Sequence, residues 1–265
     1  MSPVFVSIQG NIGSGKTTLL KNMKSSYNKN KDEMWRKLRV CFLDEPVSMW
    51  NEIVDPETGE TMIEKFYNDQ TRYAFSFQMM AYISRLSFMR RAFRSGEYDV
   101  VISERSLETD RQIFANMLHV DGKIAPIEYS IYMKWFDEFM DDFPKEHVVY
   151  VRADPEVALQ RISKRSRPGE ELISIDYLRR LHEYHEKWIA EWGKVGGGVG
   201  DSGSDRPEID ACEDSDDSVR DGEDFERLLV IDGNVDMNYD DKEDREVIKR
   251  TQEVVSHIVS LSLYR

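Results

Sequence analysis

Residues 10–18 read GNIGSGKTT and are separated by one residue from the β-branched run VFVSI at residues 4–8. Residues 10–17 fit G-x-x-x-x-G-K-[ST] in full, with a strand-like run before them and a helical pattern after. This combination constrains the chain more than any other. A strand must end at glycines whose backbone N–H groups curl round phosphate oxygens at the start of a helix. Gly10, Asn11, Gly13, Ser14, Gly15 and Thr18 belong to that cradle, Lys16 is long enough to reach the outer phosphates, and the Thr17 hydroxyl is a ligand for Mg2+. The motif leaves open whether the phosphate stays, is hydrolysed or moves to an acceptor.

The rest of the chain alternates between two periods. Short, nearly apolar runs at residues 4–8, 39–43, 99–103, 147–151 and 228–232 have the look of strands buried on both faces of a parallel sheet. Between them lie helical patterns at 16–23, 62–94, 108–117, 127–143, 155–164 and 175–192, with a last one at 242–263. The order predicts an α/β chain of the three-layer P-loop NTPase type, with a five-stranded parallel sheet flanked by helices. Ligands should then gather at the carboxyl ends of the strands.

Two of those ends carry charge. The second predicted strand runs into DEPVSMW, which puts Glu45 beside the phosphate crevice as a candidate general base for an attacking hydroxyl. The third ends in SERS, where Glu104 could hold Mg2+ directly or through water and Arg105 could pair with Glu45 or the phosphoryl group. Opposite charges buried at a strand end are costly unless paired, which favours a functional cluster. No D-x-x-G occurs, and NKNKD at 28–32 misses N-K-x-D and lies too early, so a GTPase switch protein does not fit.

Charge narrows the partners. The formal net charge of −14 argues against a general nucleic-acid or anionic-membrane binder, since either needs a basic face. Residues 193–224 hold eleven Asp or Glu against three Lys or Arg, with few large apolar residues, and are expected to be a disordered acidic insertion in a single domain spanning 1–265. Cys41 and Cys212 are far apart and form no CxxC pair. No apolar run reaches bilayer length, and no secretory or mitochondrial leader is visible before the first strand, so a cytoplasmic chain is expected, with the nucleus left open.

Together GNIGSGKTTLL, FLDEPVSMW, FSFQMMAYISRL, ISERSLETDRQIFA and RISKRSRPGEELISIDYLRRLHEYHEKWI resemble the deoxynucleoside kinases, and within them the deoxycytidine and deoxyguanosine branch. The resemblance covers nearly the whole chain outside the acidic stretch and parts of 24–37. It implies that the acceptor is the 5′-hydroxyl of a deoxynucleoside, with ATP or another nucleoside triphosphate as donor. Glu45 then matches the catalytic base and Arg105 stands beside it. Tyr67 of KFYND matches the tyrosine at the sugar 3′-hydroxyl, with Glu171 as its partner, and Phe66 beside it counts among the substrate-binding residues. Gln78 pairs with the base edge, Phe77 and Phe114 sandwich the ring, and Trp50 closes the pocket. Ala81, Arg85 and Asp110 surround the exocyclic group and favour deoxycytidine, deoxyadenosine or deoxyguanosine over thymidine. Arg161, Arg165 and Arg167 match a lid over the donor phosphates, with Lys164 facing solvent, and DGNVDMNYD resembles the donor-base loop. A homodimer built from helices around 62–94 and 127–143, inhibition by the end-product triphosphate and a place in nucleotide salvage are also implied.

Two other readings stay open at this point. A nucleoside monophosphate kinase shares the fold, but its phosphorylated acceptor calls for extra arginines where Glu45 stands. A non-catalytic nucleotide-binding module has no chemical need for Lys16, Glu45, Glu104 and Arg105 together.

Overall fold

In the computed structural model, which describes residues 2–29, 35–165, 170–194, 228–235 and 245–263, β1 (Val4–Gln9) is buried along its whole length at the centre of a sheet. β2 (Val40–Leu43), β3 (Val100–Glu104), β4 (Glu146–Arg152) and β5 (Leu228–Asp232) complete it in the order β2-β3-β1-β4-β5, every pair parallel. β1, β3 and most of β4 are buried on both faces because helices cover both sides. On one face, Val4, Val6 and Ile8 of β1 pack with Leu19, Leu20 and Met23 of α1 (Lys16–Asn28) and with Val254 and Ile258 of the C-terminal helix α10 (Arg245–Leu263).

The opposite face is covered by longer helices. Phe5 and Val101 meet Tyr82, Leu86 and Met89 of α4 (Gln70–Ser95), and Tyr132 and Phe136 of α7 (Pro126–Met140). Val148 and Tyr150 meet Leu181 and Trp188 of α9 (Ile175–Lys194). Between these helices α5 (Leu107–Thr109) runs through a π-helical turn (Asp110–Ala115) into α6 (Asn116–Val120). α8 (Pro155–Arg165) follows β4.

All five expected strands form, within a residue or two of the expected ends. The expected helix at 62–94 is instead two. α3 (Met62–Asn68) stops at Asp69, whose non-helical backbone (φ −144°, ψ 83°) breaks the spiral and whose side chain accepts from the Arg72 N–H to cap α4. A short helix not expected from periodicity, α2 (Val47–Glu52), starts behind Pro46 and carries Trp50. Six residues, fewer than two turns, are too few for a helical period to register. α9 continues to Lys194, and residues 195–224 of the acidic stretch lie outside the described residues. Among the described residues no helix is long and apolar enough to cross a membrane.

Candidate active site

A cavity of about 960 Å³ opens at the carboxyl ends of β1, β2 and β3. Its floor is the loop between β1 and α1. Gly13 has φ +77°, and a Cβ there would sit 2.5 Å from the Ala158 carbonyl oxygen, so only glycine lets the loop lie against α8. Gly13, Gly15, Lys16, Thr17 and Thr18 line the cavity, whereas Gly10, Asn11 and Ser14 shape the loop from behind. Asn11 Nδ2 donates to the Leu178 carbonyl at 2.9 Å, which ties the loop to α9. Lys16 Nζ donates to the Asn11 carbonyl at 2.6 Å. Burial, and after it the neighbouring Arg105, drives the Lys16 ammonium well below its ordinary pKa against the pull of Glu104 and Glu45. Thr17 Oγ1 donates to Glu104 Oε1 at 2.7 Å, so the two expected Mg2+ residues stand side by side.

Beyond the loop four charged side chains interlock. Arg105 Nη1 bonds Glu45 Oε1. Arg85 of α4 donates from Nε to Asp110 Oδ2 at 2.8 Å and from Nη1 to the Glu104 carbonyl at 2.6 Å, and its Nη2 lies 3.7 Å from Glu45 Oε1. Burial alone would raise the Glu45 carboxyl. Arg105, Arg85 and Lys16 outweigh it and hold the group at about 2. Burial raises the Asp110 carboxyl, with Arg85 pulling against it. Arg105 itself has φ +62°, a left-handed backbone that costs a non-glycine residue roughly 1 kcal/mol. It also stacks 5.0 Å from the centre of the Phe114 ring. Such strain persists where surrounding contacts over-determine it, and here both the ion pair and the ring do so.

The apolar end of the cavity is a slot between α2, α3 and α4 on one side and the π-helical turn on the other. Phe77 and Phe114 both line it, with Trp50, Phe66, Tyr67, Gln78 and Ala81. Phe66 stacks on Phe77 (4.5 Å between centroids, 11° between planes), and Trp50 meets Phe77 edge-on at 5.7 Å while its Nε1 donates to Ser84 Oγ at 2.9 Å. These contacts fix the wall rings. Gln78 Oε1 is buried without a hydrogen-bond partner, an acceptor held ready at a concave surface. Tyr67 is raised above its ordinary pKa by burial and then by Glu170, so it remains a neutral O–H donor.

The lid side brings one correction. Glu171 is exposed and does not line the cavity, whereas Glu170 does, accepting from Arg165 Nε at 2.6 Å. The two carboxylates lie on a single 3-10 turn (Glu170–Leu172), which sends neighbouring side chains in different directions. Arg161 lines the cavity and donates to the carbonyls of Gly233 at 2.7 Å and Val235 at 3.1 Å, joining α8 to the loop after β5. Lys164 is exposed, as expected, and also borders the cavity. Arg167, and Met237 with most of the expected donor-base loop, lie outside the described residues. Ile12, Asn51, Ile63 and Tyr177 line the cavity without having been singled out. Tyr177 was within reach of sequence reasoning, since it belongs to the same lid motif as Arg161.

A parallel sheet with a glycine-rich phosphate loop after its first strand, and a carboxylate–arginine cluster opposite a nucleoside-sized slot, defines a P-loop phosphotransferase. The deoxynucleoside kinase family model matches residues 6–256. A probable deoxycytidine kinase of Fowlpox virus (strain NVSL) is 33% identical over 189 residues, covering 70% of this chain and 72% of the relative. Deoxycytidine kinase 2 of Gallus gallus is 31% identical over 205 residues (70% and 74%). The mitochondrial thymidine kinase 2 of Homo sapiens is 31% identical over 186 residues (69% and 63%). The chain belongs to the deoxynucleoside kinase family and is a nucleoside kinase, with a nucleoside triphosphate as phosphate donor.

Proposed function

We propose that this kinase phosphorylates the 5′-hydroxyl of deoxycytidine, deoxyadenosine or deoxyguanosine in preference to thymidine, for nucleotide salvage. Relatives named for deoxycytidine and for thymidine stand at similar identity, so identity alone does not choose the base. The observation that carries the reading is the buried Arg85–Asp110 pair at the slot. It fills the space that a 5-methyl group would need, and with the free acceptor on Gln78 it suits an amino-bearing base edge.

In this reading the base lies between Phe77 and Phe114, and the sugar rests against Tyr67 with Glu170 at the 3′-hydroxyl. Glu45 takes the proton of the 5′-hydroxyl, and Arg105 bridges Glu45 to the incoming phosphoryl group. Lys16 and the arginines 161, 165 and 167 stabilise the charge that spreads over the transferred group. The donor set at Thr17 and Glu104 is all oxygen, as a hard cation needs. Among the described residues no group of three or more His, Cys, Asp or Glu could hold a metal, so the phosphates would complete the shell. Thr17 and Glu104 would hold Mg2+, which supplies charge neutralisation at the phosphates when bound.

The exposed apolar side chains Ile83 on α4 and Ile131 and Trp135 on α7 support a homodimer through these helices. The free thiol of Cys41 is compatible with the cytoplasm. The decisive measurement is kcat/KM for the four natural deoxynucleosides with Mg·ATP. Thymidine should come last, and thymidine in first place would overturn the base assignment.

A further inference from the structure

Gln9 and Ser7 stand on the face of β1 where Phe5 packs into the core, and both are fully buried. A central strand facing a helical layer would ordinarily be apolar there. Instead the Gln9 amide is the hub of a polar network. Its Nε2 lies 2.8 Å from Ser7 Oγ, 3.1 Å from Ser106 Oγ and 3.1 Å from Glu146 Oε1, and its Oε1 accepts from Thr109 Oγ1. Ser106 and Thr109 in turn cap each other: Ser106 Oγ accepts from the Thr109 N–H at 3.3 Å, and Thr109 Oγ1 accepts from the Ser106 N–H at 3.2 Å. None of Ser7, Gln9, Ser106, Thr109 and Glu146 lines the cavity.

Their neighbours in sequence do the chemistry. Gln9 precedes Gly10 of the phosphate loop, Ser106 follows Arg105 with its strained backbone, and Thr109 precedes Asp110, the partner of Arg85. One buried side chain thus joins the strand that ends in the phosphate loop to the turn that carries Arg105 and Asp110. We propose that Gln9 is a positioning residue for phosphoryl transfer, and that Glu146 anchors its amide in a proton-dependent way. The proposal rests on the roles given above to Glu45 and Arg105.

The geometry explains why the amide matters. Besides the ion pair and the ring, the Ser106–Thr109 cap pins the residues that follow Arg105 (φ +62°), and Gln9 holds the hydroxyls of both. A misplacement of about 1 Å at a reacting group can cost on the order of 10²-fold in rate. Glu146 faces Ser7 and Gln9 from β1, Ser106 from the turn and the carboxylate of Glu108 from α5, which is itself paired with Arg111. Burial raises its carboxyl to about 7, against the hydrogen bonds that these groups donate. Near neutral pH it therefore exchanges a proton, and its charged form is the costlier one in this buried network because no cation among these facing groups compensates it.

The test is steady-state kinetics on the purified full chain, with the nucleoside Kd and a thermal melt for each variant. Gln9→Leu should lower kcat about 10-fold or more while nucleoside Kd stays within about threefold and melting stays cooperative. A kcat within about twofold of wild type overturns the role of Gln9. If Gln9→Leu does not fold, Thr109→Val, which removes the donor to Gln9 Oε1, must show the same split between kcat and Kd or the proposal fails. The ratio of wild-type to Glu146→Gln kcat should fall between pH 6 and pH 8, and a flat ratio removes Glu146 from the device. Glu45→Gln measured alongside separates the two levels: an unchanged kcat there overturns the reading of the site itself, whereas a reduced kcat leaves Gln9 to be judged on its own variants.

Discussion

Arg85 and Asp110 form a buried ion pair, Nε to Oδ2 at 2.8 Å, and the same guanidinium reaches to 3.7 Å from Glu45. Arg85, which lines the slot proposed for the nucleobase, is therefore also an electrostatic neighbour of the proposed general base. Replacing Arg85 by Met and Asp110 by Ala together should raise thymidine kcat/KM and lower that of deoxycytidine, because the methyl gains room while the amino edge loses its partners. Each single variant should give less than half of the switch in free energy. It should also melt below the double variant, since removing one partner leaves a buried charge that costs about 3–5 kcal/mol. An unchanged preference order in a folded double variant would show that the pair is structural.

Glu45→Gln should preserve nucleoside binding and reduce kcat about 10²-fold or more, because the amide cannot accept the 5′-hydroxyl proton. Lys16→Ala should impair transfer to a similar degree through lost charge compensation on the phosphates. Either variant with wild-type kcat in a quench-flow or coupled assay would remove that residue from the mechanism.

The depressed pKa of Glu45 has a stability consequence. Folded, the group titrates at about 2, below its value of 4.5 when unperturbed, so the unfolded chain binds its proton first. The stabilisation is present above about pH 4.5 and is lost as pH falls towards 2. The stability difference between wild type and Glu45→Gln should therefore shrink across that window in urea titrations. A constant difference from pH 5 to pH 2.5 would contradict the ionised, cation-held carboxylate.

On the lid, Glu170 and Glu171 separate cleanly. Glu170→Ala should raise the nucleoside KM about 10-fold and disturb Arg165, while Glu171→Ala should leave kcat/KM within about twofold, since an exposed side chain away from the cavity makes little difference. The opposite ranking would return the sugar contact to Glu171.

Replacing residues 195–222 by a short Gly/Ser link should leave kcat/KM within a few-fold. Its composition cannot bury enough apolar surface to offset ordering, and the flanking α9 and β5 each pack into the core on their own residues. A collapse of kcat with an unchanged melt would show that the segment reaches the site.

The phosphate loop and the five strands were legible in sequence because each rests on short-range order, whereas the aromatic and charged residues of the slot were named only through the resemblance to the deoxynucleoside kinases. A glycine turn fits within eight residues, and a doubly covered strand shows itself as an unbroken β-branched run. The contacts that join them were not. Arg85 and Asp110 are 25 residues apart, Gln9 and Glu146 are 137 apart, and only the packing of α4 against the π-helical turn and of β4 against the central strand brings each pair together. The break at Asp69 and the choice of Glu170 over Glu171 turned on backbone directions that periodicity does not carry. Sequence by itself determined which chemistry the chain could hold at its strand ends. The tertiary structure decided which charges meet, because burial makes an unpaired polar group costly and so selects partners across the fold, whatever their separation along the chain.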